Sequence, residues 1–227
     1  MVVAALRALD GGFLQACRCW FGGGTRIVLE LGEYRESGDV HFLCSDLAGY
    51  RALRSTVSER SLGRIVARPL ALAREVRADR YGIRTVLEVD ASRLKFEIVL
   101  EGRIELAGAV LGVPCLSHVD CFAEKLLANA DRWGDDAVLS RDIIDLAFMV
   151  EGWGLADATA GAALARDAYG EIIDRALGDA AQRLLDVEAH RKRCIGALRV
   201  VNVRTLTAGL RKLARRGALR AARSARR

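Results

Sequence analysis

Two side chains two residues apart set the chemical question: Asp39 and His41, in Gly38-Asp39-Val40-His41-Phe42-Leu43-Cys44. A glycine followed by this run reads as a strand leaving a turn. On a strand, residues i and i+2 project to the same face, so the carboxylate and the imidazole stand together. Upstream lies Gly22-Gly23-Gly24-Thr25, a glycine-rich turn ending in a hydroxyl. Glycines let the backbone approach a phosphate closely, and a following helix presents free amides and a positive dipole end. Downstream, Glu97 sits in Lys95-Phe96-Glu97-Ile98-Val99, where a buried carboxylate is costly without a partner. Carboxylates on two strands beside a phosphate turn suit divalent-metal phosphoryl or nucleotidyl transfer. Oxygen ligands hold the ion, the ion neutralises the triphosphate, and in-line attack follows.

Each feature also has a plain structural explanation. A Gly-Gly-Gly-Thr turn can be simple chain reversal, and no Lys-Ser/Thr follows to make it a Walker sequence. A strand-borne glutamate can pair with an arginine. A lone histidine can be a packed, hydrogen-bonded residue.

The elements that must carry these residues can be read from periodicity. Residues 2–19 have helical spacing with Gly11 and Gly12 marking a break, and residues 26–31 form a short helical stretch. A helix is expected over 47–66, and strands over 39–44, 75–81, 84–89 and 94–100. After Pro114 the strand signal ends. Residues 119–132, 141–151, 156–169, 172–186 and 188–201 all have helical periodicity. The expected class is α+β: a small mixed β-sheet core followed by an all-helical second half. The expected divisions are a core over 1–113, a helical region over 114–204 and a basic tail over 205–227.

Bulk composition fits a compact chain of 227 residues, 52% hydrophobic and 28% charged. The net charge of +6 is uneven. From position 205 on there are eight basic and no acidic residues, leaving 27 basic against 29 acidic in the remainder. The body therefore offers no separate sign of a nucleic-acid surface. The longest uncharged run, 106–119, is broken by Gly108, Gly112 and Pro114 and is too short to span a bilayer. Asp10 interrupts the N-terminal apolar stretch and no basic region precedes it, so neither a membrane segment nor a signal peptide is expected. The six cysteines are scattered among apolar neighbours, as expected of buried, reduced thiols in a cytoplasmic protein.

Five segments occur in a telling order: Gly22-Gly23-Gly24-Thr25; Arg35-x-Ser37-Gly38-Asp39-Val40-His41; Phe96-Glu97-Ile98; Glu124-Lys125-Leu126-Leu127-Ala128; and Ser140-Arg141-Asp142-Ile143-Ile144-Asp145-Leu146-Ala147. Over residues 10–150 the chain thereby resembles the AbiEii-type nucleotidyltransferase toxins of the DNA polymerase β-like superfamily. The resemblance implies transfer of a nucleotide from an NTP to an acceptor, RNA (tRNA for some members) or protein, with an antitoxin partner for some. It implies a triphosphate held by Gly23, Gly24 and Thr25, with Ser37 and Lys125 also on the nucleotide. Asp39 would bind Mg²⁺ or Mn²⁺, and Glu97 would complete the metal site or activate the acceptor hydroxyl. Asp142 and Asp145 would belong to the helical motif that closes the site.

One departure changes the chemistry. His41 stands where the family has the second acid of Asp-x-Asp. Imidazole is a poor ligand for Mg²⁺ and a good one for Mn²⁺ or Zn²⁺. The metal set is thus Asp39, His41 and Glu97, and the alternative function is a catalytically degenerate protein that binds nucleotide or RNA. Arg141 and Asp145, at i and i+4, can pair on one helix face, or these charges can line a cleft. The tail, with Leu206, Leu210 and Leu213 at helical spacing, is expected to add salt-dependent RNA affinity and to contribute little to the fold. Docking on an acidic antitoxin or on lipid is its alternative.

Overall fold

The computed structural model describes residues 1–101, 106–215 and 217–220. The chain divides into two compact units: Met1–Arg26 with Ser37–Ser117, and Ile27–Glu36 with His118–Arg227. The division follows strand β7 (Val113–Leu116), whereas position 113/114 lies inside that strand.

Among the described residues the first unit is built on seven strands, β1 (Cys19–Gly22), β2 (Asp39–Cys44), β3 (Ala71–Ala78), β4 (Gly82–Val89), β5 (Ser92–Leu100), β6 (Leu106–Val110) and β7. Their order is β3-β4-β5-β2-β1-β7-β6. The β2–β5 and β1–β7 pairs are parallel and the remaining pairs antiparallel, so the sheet is mixed as expected. Three of the strands were not expected. β1 and β7 have four residues each and are buried throughout, so no alternation marks them. Along β2 and β5 burial does alternate. Val40, Phe42, Leu94, Phe96 and Ile98 are buried, while Asp39 and Lys95 are exposed. Phe21, Phe42 and Phe96 touch across β1, β2 and β5, with ring centroids 5.5 and 5.9 Å apart. β3 begins and ends earlier than its expected span, because Asp79 closes the turn to β4 by accepting hydrogen bonds from the amides of Tyr81 and Gly82.

Among the described residues four helices accompany these strands. α1 (Val2–Arg7) precedes α2 (Gly11–Ala16), which starts at the glycines expected to break a helix. Asp10 caps α2 by accepting from the Phe13 amide at 2.8 Å, and a side chain on Gly11 would collide with the Gly112 carbonyl. α3 (Gly23–Glu30) begins at the glycine-rich turn, and the chain passes into the second unit along it. α4 (Leu47–Thr56) is capped by Asp46 and is shorter than the 47–66 span expected.

The second unit is helical, with α5 (His118–Arg132), α6 (Arg141–Gly152), α7 (Leu155–Tyr169), α8 (Ile172–Asp186), α9 (Glu188–Ala197) and α10 (Val203–Leu213). The tail departs from expectation. Leu206, Leu210, Leu213 and Leu219 are buried, and Lys212 pairs with Glu151. Arg220 pairs with Glu171 and Asp174. The leucines of this segment are thus part of the helical core while Arg211, Arg215 and Arg220 stay exposed, because the leucine stripe is apolar enough to need cover. Residues 216 and 221–227 lie outside the described residues. The six cysteines are free and buried. No helix among the described residues is long and apolar enough to cross a membrane.

Two glycines in this unit make opposite demands. At Gly209 a methyl group would strike the Ala147 backbone, whereas at Gly178 on α8 it would meet nothing. Gly209→Ala is expected to cost about 1–3 kcal/mol through forced separation of α10 from α6. Gly178→Ala should stabilise by about 0.4–1 kcal/mol. Urea unfolding midpoints of both variants measure this; a neutral Gly209→Ala would mean that α10 does not pack as described.

Candidate functional site

Strand register in the first unit brings the sequence-marked residues into one row. Gly22 on β1 faces His41 on β2, His41 faces Glu97 on β5, and Glu97 faces Arg84 on β4. The row next to it places Asp39 beside Lys95. Gly23 has φ +70 and opens α3, and a methyl in place of its hydrogen would lie 3.2 Å from His41 Cβ. Positive φ and this close approach both require glycine there. The first amides of α3 have no partner within the helix and form the positive end of its dipole. Thr25 is buried, and its hydroxyl shares a 2.6 Å hydrogen bond with that of Ser37, tying the turn to the segment that leads into β2.

The acids differ sharply in their company. Asp39 is exposed, and its side chain makes no hydrogen bond or ion pair among the described residues. Glu97 lies 3.5 Å (Oε2) from His41 Nδ1 and accepts from Arg84 Nε at 2.6 Å (Oε1). His41 and Arg84 together outweigh partial burial and hold the Glu97 carboxyl down at about 2. Of the two contacts that to Arg84 is the closer. A glutamate paired with an arginine is the structural alternative weighed for this strand, and it is what the geometry contains.

This arrangement bears on a metal ion. Among the described residues no three His, Cys, Asp or Glu side chains are grouped to hold one. Asp39, His41 and Glu97 therefore do not fit a three-ligand protein cage, since Glu97 spends its oxygens on Arg84 and His41. Asp39 does fit an ion held jointly with a nucleotide, because Mg²⁺ takes one or two carboxylates and fills its shell with phosphate oxygens and water.

In the second unit, Lys125, Asp142 and Asp145 form a buried ion network. Lys125 Nζ is 2.9 Å from Asp142 and 2.6 Å from Asp145. Arg35 holds Asp145 with two parallel bonds of 2.6 and 2.8 Å, and Tyr34 donates to the same carboxylate at 2.6 Å. Arg132 binds Asp142 through two nitrogens, at 2.7 and 3.0 Å. Burial pushes the Asp142 carboxyl up, but Lys125 and Arg132 more than offset it and hold it well below the usual range. Asp145 is held down against burial by Lys125 and Arg35. Asp145 thus pairs with Arg35 and Lys125 and not with Arg141. As arranged, Lys125 spends its charge inside the network.

Several participants escaped sequence reasoning. Arg84 and Lys95 had a signal only in the alternation of their strands, and their neighbours come from pairing at long range. Tyr34 and Arg132 had weaker cues, the latter a position seven residues after Lys125 on the same helix face. Arg35 stood inside a quoted motif with no role attached.

The family profile described as "Nucleotidyl transferase AbiEii toxin, Type IV TA system" matches residues 7–221. No curated protein sequence matches the chain. Solved structures of similar fold include a candidate nucleotidyltransferase from H. pylori, at 13% identity and a TM-score of 0.56 over 94% of this chain and 92% of that one. JHP933 from Helicobacter pylori is 15% identical, with a TM-score of 0.56 over 94% and 89%. The nucleotidyltransferase toxin MenT4 from Mycobacterium tuberculosis H37Rv is 15% identical, with a TM-score of 0.50 over 96% and 82%. At these identities the likeness is one of fold.

The buried network yields a stability test. Lys125→Met leaves two buried carboxylates short of a cation and is expected to cost about 3–5 kcal/mol at neutral pH. In the wild type both carboxyls are depressed, so their contribution is present above the ordinary carboxylate range and is lost as pH falls through their lowered values. In the variant the same groups gain from protonation, so the gap to wild type should narrow on acidification. Thermal melts from pH 7 down to 4 read this, and a constant gap would show that Lys125 does not neutralise Asp142 and Asp145.

Proposed function

The chain belongs to the AbiEii nucleotidyl transferase toxin family, and from that premise we propose that it moves a nucleotide from an NTP to an RNA hydroxyl, which bonds to the α-phosphorus as pyrophosphate leaves. The observation that carries the reading is the packing of the glycine turn at the start of α3 against His41, on the strand face that also bears Asp39. The amides of Gly23 and Gly24 and the positive end of α3 suit a triphosphate. The bond between Thr25 and Ser37 keeps that turn in place. Asp39, whose side chain has no partner among the described residues, would supply a hard oxygen to Mg²⁺ or Mn²⁺, and the ion would neutralise phosphate charge.

The acceptor proton falls to His41. Glu97, held at about 2, is a weak base at neutral pH, and it serves instead to orient the imidazole through Nδ1. An imidazole has a ring nitrogen that can accept a proton while the other is held, which suits a general base. The roles of Lys125, Asp142 and Asp145 on the nucleotide remain part of the proposal. A phosphate reaching Lys125 would compete with two carboxylates for its ammonium. The family also makes an antitoxin protein a proposed partner.

A second reading, binding of nucleotide or RNA without turnover, is favoured by the Arg84–Glu97 pair, which withdraws an acid from the metal. Labelled NTPs incubated with total RNA in Mg²⁺ and in Mn²⁺ separate the two. Transfer by the wild type is expected, with a loss of about 10²–10⁴-fold in His41→Ala if the imidazole is the base. Asp39→Asn should abolish both transfer and Mn²⁺ binding, and unchanged activity in that variant would remove Asp39 from the site. Were the wild type inert and His41→Asp active in Mg²⁺, the binding-only reading would hold.

A further inference from the structure

We propose that the exposed face of β3, β4 and β5 is the docking surface for the RNA acceptor, whose backbone crosses these strands toward Glu97 and His41. The inference rests on the RNA-transfer reading above. Strand register arranges the cations. Arg77 on β3 faces Arg84 on β4, which faces Glu97 and then His41. In the neighbouring row Arg74 faces Val86, which faces Lys95 and then Asp39. Arg93 follows on β5, opposite Glu88. Arg74, Arg77, Arg84, Arg93 and Lys95 are all exposed. Among the described residues the head groups of Arg74, Arg77, Arg93 and Lys95 have no ion-pair partner, whereas Arg84 pairs with Glu97 and Asp79. Against these five cations stand Glu88, Glu97 and Asp39 in the same rows and Glu75, exposed on β3 between Arg74 and Arg77, and Glu97 is already committed to Arg84 and His41.

The chemistry of the face selects its occupant. A protein partner needs a buried apolar or aromatic anchor at the centre of the contact. In the two rows that end at Asp39 and His41, Val86 is the one apolar side chain, and it is half-buried. A phosphate backbone needs only spaced cations on an open surface. Without aromatic side chains in the rows, contact is with the backbone and tolerant of sequence. Arg77 and His41 are three strands apart, roughly 14 Å at the usual strand spacing. A strand of RNA lying across that distance would bring its hydroxyls to the row that holds the proposed base.

The test uses the full chain and fluorescein-labelled single-stranded RNA, with affinity read by anisotropy from low to moderate salt. Each lost phosphate contact lowers the salt slope by about 0.7, so changing Arg74, Arg77 and Arg93 together to Ala should reduce it by about 2. Binding of a fluorescent NTP analogue and the melting temperature should stay at wild-type values. A charge-matched control changes Arg51, Arg60 and Arg68, exposed in the same unit but outside these strands, and should keep the wild-type slope. A wild-type slope in the face variant, an equal fall in the control, or no RNA binding by the wild type would each overturn the proposal. So would loss of polyglutamate binding with RNA binding intact, which would give the face to an acidic protein. RNA binding is read without NTP. Docking without transfer would therefore leave this surface standing and sink the transfer reading instead.

Discussion

The alternation of burial along β2 and β5, beside the fully buried β1, is the constraint from which the site follows. Phe21, Phe42 and Phe96 meet on the buried face, and their contacts fix which residue of each strand stands opposite which. A slip of one residue would turn Phe42 to solvent and drive His41 and Glu97 into the core. That costs the burial of an aromatic ring, about 1.5–3 kcal/mol, and adds the larger cost of dehydrating ionisable groups. The apolar face thereby dictates the order of the polar face, Gly22, His41, Glu97 and Arg84, with no contact among those four needed to set it.

The two units handle charge in different ways. On the sheet, charged groups lie in rows open to water, where pairing is weak and the groups stay available to a ligand. In the helical unit, Lys125, Asp142 and Asp145 are buried with Arg35, so each charge must find its complement inside the protein. Such a network repays dehydration only when its geometry is complete, and removing any one member strands the others. It therefore fixes α5, α6 and the segment carrying Tyr34 and Arg35 more stringently than apolar packing would. Tyr34 adds to this by stacking on Phe148, with ring centroids 3.9 Å apart.

Arg84 alters the meaning of Glu97. An acid on a central strand beside a phosphate turn suggests a metal ligand, and here the same acid accepts a hydrogen bond from a guanidinium. The difference is one of counter-charge: a fixed arginine supplies the positive charge that an ion would otherwise bring. His41 is consistent with that exchange, since an imidazole beside a carboxylate adds no further negative charge to a site already holding Asp39.

The sequence by itself determined the positions of the acids on their strands, the glycine turn, the α+β class and the helical second half. These rest on local properties: alternation over six residues, a run of glycines, apolar spacing along helices. The family likeness was legible for the same reason, because its motifs are short and contiguous. Tertiary structure decided the rest. β1 and β7 are buried on both faces and have no pattern to announce them. The basic tail read as a solvated appendage by charge, yet its leucines are core residues, because burial depends on what α6 and α8 offer opposite them. That Glu97 meets Arg84, and that Asp145 meets Arg35 and not Arg141, turned on partners 13 and 110 residues away. Local spacing cannot encode such pairings, since which charges meet is settled only when separate elements pack together.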